Sequence, residues 1–388
     1  MHILKKLFRK EDTNIYRIFG IKLSFNSCKR RVESRAASTI QDSLDMAPLK
    51  NAQKVIVFLV PFGIKIGGGI MSIFSLCNVS RQINKDSFCC IATYPKDYTY
   101  VINDKFYNNE RVLRFEQIIN NANSVQEMVL HIPEYYADDF YDNLNEKEIN
   151  FLQSIPNLQI NILNQNIDLM PEPQALQNLY KLTDNITQTI AHDRYATQEI
   201  CDKWKIPTHL FSVNTDLTGY RKFKFEEKEK IIVLSPDKNE YKDKIVKKIE
   251  TEFPDWKIIT VKNMSFYQYV DLIGRAYFTI TFGEGFDGYF DQPMRVGGVG
   301  FAVYNDRFFP DNSWKKLKNV YSSYDEMYDK ICDDMKTLTL NKKLYLEIIQ
   351  EFLKKRCVVY KKEKFLSNVK RFYKKEYDFI PNKSYINC

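Results

Sequence analysis

The sequence predicts an α/β protein built from two facing, doubly wound parallel-sheet halves. Three observations carry that expectation. Short unbroken apolar runs such as "KVIVFLVP" (54–61) and "KIIVLSP" (230–236) have the character of strands buried on both faces. These runs alternate with stretches of helical periodicity, the pattern of parallel strands joined by crossover helices. The alternation occurs twice, on either side of a polar, charged stretch at 216–229. A chain of 388 residues that is 44% hydrophobic has the material for two cores.

The elements follow in order. Residues 1–50 read as an arm and linker. Leu4, Leu7 and Phe8 are interleaved with Lys5, Lys6, Arg9 and Lys10, and a second basic group follows at Lys29, Arg30 and Arg31. Apolar and cationic residues together suit an anionic membrane surface, and equally an arm docked on its own protein. Residues 51–222 form the first domain. It opens with strand 54–61, a glycine turn and the periodic run "IMSIFSLCNVSRQI". Strands are expected at 87–94, 125–133, 158–164 and 186–192 and in "THLFSV", with helices at Tyr135–Leu144, in "PQALQNLYKLT" and in "RYATQEICDKW". Residues 223–350 form the second domain, with strands in "KIIVLSP", "WKIITVK", "YFTITF" and "GFAVYN". Residues 351–388 read as a basic helical tail.

Composition narrows the function. A net charge of +8 fits nucleic acid, anionic lipid or phosphorylated small molecules without choosing among them. The basic residues cluster at the termini and the aromatics lie on core-periodic segments, which argues against a nucleic-acid binder. The eight cysteines show no Cys-x-x-Cys pair and no zinc spacing, as expected of reduced thiols in a cytoplasmic protein without a structural metal. No apolar run is long enough to span a bilayer, and the N-terminus lacks the pattern of a signal peptide.

In open α/β sheets, ligands sit beyond the carboxyl ends of the strands. Three turns at such ends stand out. Gly67, Gly68 and Gly69 precede a helix, where bare backbone N–H groups suit a phosphate, although a tight turn also asks for glycine. Lys238, in "SPDKN", is placed to pair with a phosphate or is an ordinary turn lysine. Gly283 and Gly285 flank Glu284, whose carboxylate is placed either to accept from sugar hydroxyls or to cap the next helix.

The Glu284-Gly285-Phe286 segment, with the glycine-rich first turn, resembles bacterial glycosyltransferases of two-Rossmann (GT-B) architecture, in particular the retaining group with a Glu-x(7)-Glu motif. The resemblance spans about 54–355, and "IYRIFGIKLSF" (15–25) with the segment 281–309 is similar to transferases of capsule, lipopolysaccharide or O-antigen synthesis. Glu284 matches the first Glu of the motif, and Gln292 stands where the second would be. A Gln hydrogen-bonds hydroxyls without a charge, so a retaining outcome does not follow. The resemblance implies a nucleotide-sugar donor held by Gly67–Gly69, Lys238, Gly283, Gly285, Phe286, Asp287, Gln292 and Arg295, and a glycan or lipid-linked acceptor on the first domain. The nucleotide-sugar is a substrate, and no cofactor is expected. The chain contains no Asp-x-Asp triplet, which fits metal-independent transfer. For an inverting reaction the base would come from the first domain, where His131 and His192 stand at strand ends. Competing readings are another nucleotide-sugar or phospho-sugar enzyme such as an epimerase, and a non-catalytic binding protein.

Overall fold

The computed structural model describes residues 45–61, 68–94, 112–212, 214–262, 264 and 266–382, together with the backbone of three short strands near the N-terminus. Those strands, β1 (Phe8–Asp12), β2 (Ile15–Ile18) and β3 (Ile21–Ser24), pair antiparallel in one small sheet. The basic group at 29–31 and most of the arm's linker lie outside the described residues.

The first large sheet has seven strands, all parallel: β4 (Lys54–Pro61), β5 (Phe88–Tyr94), β6 (Val112–Arg114), β7 (Glu127–Pro133), β8 (Asn157–Asn164), β9 (Ile186–Ile190) and β10 (Thr208–Leu210). Their order is β10-β9-β8-β7-β4-β5-β6. The chain therefore starts in the middle, winds outward through β5 and β6, returns to β7 beside β4, and winds the other way. Six consecutive residues of β4, Val55 to Val60, are buried, as a strand with helices on both faces must be. Phe115, Ile118, Leu152, Leu176 and Trp204 pack on one face. Ile73, Phe74 and Cys77 of the helix Gly68–Ile83 pack on the other.

The second sheet has five parallel strands: β11 (Glu229–Leu234), β12 (Lys257–Thr260), β13 (Ala276–Ile280), β14 (Val299–Val303) and β15 (Val320–Tyr321), in the order β12-β11-β13-β14-β15. Winding reverses between β11 and β13. The helix Lys342–Val359 packs in this second core and runs unbroken across residue 350. The helix Lys362–Tyr373 then crosses back, and its Phe365, Val369 and Phe372 join the core of the first sheet. The chain is thus two doubly wound parallel-sheet domains, the fold class expected from the sequence.

Two local expectations are corrected. The helix expected at Tyr135–Leu144 is a single 3-10 turn, Glu134–Tyr136, and the α-helix starts later, at Glu146–Gln153. Asn145 accepts from the Glu148 N–H at 3.0 Å while the Glu148 carboxylate accepts from the Asn145 N–H at 2.8 Å, a capping box that fixes the start there. The segment "PQALQNLYKLT" forms only a 3-10 turn and the short helix Leu176–Tyr180.

Candidate functional site

Each sheet reverses its winding once, and a crevice opens at the carboxyl end of each reversal. In the first sheet the reversal lies between β4 and β7, and Glu134 is the residue after β7. In the second it lies between β11 and β13, with Ser235–Asp237 after β11 and Gly283–Glu284 after β13. The two crevices meet. Asn166, just beyond β8, donates from Nδ2 to Glu284 Oε1 at 3.2 Å, and its backbone N–H donates to Glu134 Oε1 at 3.1 Å. Asp168 pairs with Arg307, and the His192 ring meets the Phe308 ring edge-on at 6.1 Å. Two independent switch points therefore share one cleft.

The second-domain side of the cleft is a turn held from beneath. Ser235 Oγ accepts from the Phe282 N–H at 3.0 Å, which ties the loops after β11 and β13 together. Asp287, not Glu284, caps the helix Gly288–Val296. Its Oδ1 accepts from the N–H groups of Tyr289 at 2.8 Å and Phe290 at 3.2 Å, and the Thr281 hydroxyl donates to Oδ2. Glu284 is left to face Asn166. Burial, and then the charge of Asp237, raise the Glu284 carboxyl above its ordinary range. Burial raises Asp287 to about 7. Beside this turn is a pocket of about 320 Å³ lined by Gly283, Val303, Tyr304, Asn305, Asp306, Lys315 and Tyr324. Tyr324 stacks on Tyr241 with ring centres 5.4 Å apart, and the Lys315 ammonium lies 4.5 Å over the Tyr304 ring.

The two glycines around Glu284 have different tasks. At Gly283, which lines the pocket, a Cβ would meet Asp237 Oδ2 at 2.8 Å. Gly285 adopts φ +86°, and a Cβ there would lie 2.5 Å from the Val303 carbonyl. Its absent side chain is therefore a demand of the turn and of packing, not of a ligand.

Several residues expected at the site lie elsewhere. Phe286 is buried in an aromatic cluster, 5.0 Å from Trp314 and 5.4 Å from Phe309 between ring centres. Arg295 is spent on structure, donating to Asp291 at 3.2 Å and to the Thr215 carbonyl at 2.7 Å, while Arg356 grips the same Asp291. His131 is sealed in the first core, stacked on Phe58 at 4.2 Å, with Nδ1 against Asn161 and Nε2 against the Tyr373 hydroxyl. Burial lowers it to about 3, so it stays neutral, and it is fully buried. His192 does reach the cleft. Burial lowers its pKa, and its Nδ1 is buried without a partner among the described residues. Gln292 is buried beneath Gly288, with its Oε1 also lacking one. Lys238 is exposed. Gly68 and Gly69 open their helix, and Gly69's carbonyl accepts from Gln165 Nε2 at 3.1 Å; Gly67 lies outside the described residues. The residues missed were Glu134 and Asn166. Glu134 follows β7 directly and Asn166 lies two residues past the end of β8, and those positions were the available signal.

Two parallel-sheet domains whose switch points face each other across a cleft define the GT-B architecture. No protein-family model and no curated protein sequence matches the chain. Solved structures do. The chain is similar to an α-glucosyltransferase solved with UDP and a 13-mer DNA containing an HMU base, at TM-score 0.50 and 10% identity, over 82% of this chain and 100% of that one. It also matches sucrose-phosphate synthase from Thermosynechococcus elongatus at TM-score 0.49 and 9% identity, over 83% and 98% of the two chains. A third match is the E. coli ADP-heptose lipopolysaccharide heptosyltransferase II, at TM-score 0.40 and 11% identity, over 74% and 98%. At such identities the likeness is one of fold.

Proposed function

We propose that the chain is a metal-independent glycosyltransferase that moves a sugar from a nucleotide-sugar to a glycan or lipid-linked acceptor in bacterial surface-polysaccharide synthesis. The observation that carries this reading is the meeting of the two switch points at Asn166 and Glu284. The nucleotide lies in the pocket beside Gly283, Asn305 and Tyr324. The diphosphate lies along the turn at 283–285, with Lys238 and Lys315 as the exposed cations and the helix start at Gly68–Gly69 opposite. Fixed dipoles and cations stabilise the charge that develops on the leaving diphosphate. Glu284 accepts from hydroxyls of the transferred sugar. The acceptor approaches from the Glu134 and His192 side, and His192 is the remaining histidine at the cleft for proton removal.

The acceptor class rests on the resemblance carried by "IYRIFGIKLSF" (15–25) and the segment 281–309. An anionic membrane surface, met through the basic and apolar N-terminal arm, is part of the same proposal, and the C-terminal residues add to that patch. Residues 341–388 contain 13 Lys and Arg against 5 Asp and Glu, a net +8 equal to that of the whole chain, so the remainder is neutral. Among the described residues no helix is long and apolar enough to cross a membrane.

The test is thermal melting with a panel of nucleoside diphosphates and nucleotide-sugars, with magnesium and with chelator. One nucleotide should raise Tm by several degrees, and chelator should leave the rise unchanged. No rise with any nucleotide would sink the reading.

A further inference from the structure

Glu134 is a carboxylate in an unusual place. It follows β7 at the switch point of the first sheet and is 2% exposed. Its Oε1 accepts from the Asn166 N–H at 3.1 Å, while Oε2 is buried with no partner among the described residues. Among the described residues no cation offsets the burial. Among the described residues, the ionisable groups around the 165–168 strap above it are Glu284 from the second domain, His192 beyond β9, and the Asp168–Arg307 pair. Glu134 is therefore a buried acid that holds the backbone of a strap, at Asn166 and Gln165. That strap has other attachments among the described residues. Gln165 donates from Nε2 to the Gly69 carbonyl at 3.1 Å, Asn166 donates to Glu284 at 3.2 Å, and Asp168 pairs with Arg307.

We infer that Glu134 is a positioning residue: through the Gln165–Asn166 strap it sets the place of Glu284 in the opposite domain, and its own charge controls the firmness of that link. The inference rests on the transferase reading for its consequence, not for its geometry. An ionised carboxylate is a stronger acceptor for the Asn166 N–H than a protonated one. The strap is thus held firmly when Glu134 is charged and loosely when it is not. Burial raises the Glu134 carboxyl to about 7, which puts this change near neutral pH. A group kept unfavourably charged in the folded protein costs stability, and such costs are tolerated where they serve a site.

Glu134→Gln keeps the size and the Oε1 acceptor while removing the charge. Two measurements test the idea. The first needs no activity. At pH 8, melting temperatures are compared for wild type, Glu134→Gln, Glu284→Gln and the double variant. The two single shifts should fail to add by about 2 °C or more, because the residues are coupled across the cleft. Additive shifts would overturn the inference. The second is the pH profile of kcat. Wild-type turnover should rise as pH passes through about 7, and Glu134→Gln should lose that rise and fall at least about tenfold at pH 8, with nucleotide affinity unchanged. Asn166→Ala should reproduce the fall. A Glu134→Gln enzyme with the wild-type profile would overturn the inference. Coupling without any nucleotide binding would support the strap and sink the transferase reading instead.

Discussion

Asp287 sits where two demands conflict, and the conflict can be measured. Its carboxylate caps a helix through two backbone N–H groups and the Thr281 hydroxyl, which favours charge. It is also buried beside Asp237 and Glu284, which disfavours charge, and the balance lifts it from 3.8 to about 7. That rise corresponds to on the order of 4 kcal/mol against the charged form, more than the roughly 1 kcal/mol that a helix N-terminus returns. The sign follows from proton linkage. The folded chain holds a proton that the unfolded chain releases near 3.8, so stability is lost as pH rises from about 4 to about 7. Asp287→Asn keeps the Oδ1 acceptor for the cap and removes the charge. In urea unfolding the variant should match wild type at low pH and exceed it by about 2–4 kcal/mol at pH 8. It should also bind nucleoside diphosphate at least as well, since it brings no negative charge beside the phosphates. An equal difference at both pH values, or a less stable variant at pH 8, would refute the reasoning.

Three further outcomes are expected. Glu284→Ala should abolish transfer in a steady-state assay while far-UV circular dichroism stays unchanged, because the side chain faces the cleft; an active variant would remove the central site residue. Gly285→Ala forces a Cβ into φ +86° and against the Val303 carbonyl, and should cost at least about 1–3 kcal/mol in chemical denaturation. His131→Ala leaves a cavity against Phe58 and frees Asn161, so about 2–4 kcal/mol of stability should be lost while turnover per folded molecule is kept. Loss of turnover at full stability would instead restore His131 as a catalytic group.

The fold was legible because burial on both faces leaves a local mark. Strands β4 and β11 read as unbroken apolar runs, and the helices between them keep their period. Capping chemistry was also local, yet Asn145 and Glu148 were passed over in favour of the aromatic run before them. The site was legible only where the chain bends. Glycines mark turns, so Gly283 and Gly285 drew attention to Glu284. They could not say which glycine serves the turn and which borders the pocket, since that depends on Val303 and Asp237, which are distant in sequence. The same holds for Phe286, Arg295 and His131, whose partners include residues 215, 309, 314 and 373. Glu134 and Asn166 become a site only when two separate sheets face each other.

The most direct test is a calorimetric titration of the nucleoside diphosphate that most raises Tm into wild type and into Lys315→Glu. Lys315 is exposed, so its reversal should change stability by no more than about 0.5 kcal/mol. It borders the pocket beside Gly283, so a diphosphate bound there should lose on the order of tenfold in affinity. That loss is the expected result. Equal affinity in the two proteins would place the nucleotide elsewhere and contradict the proposed donor site.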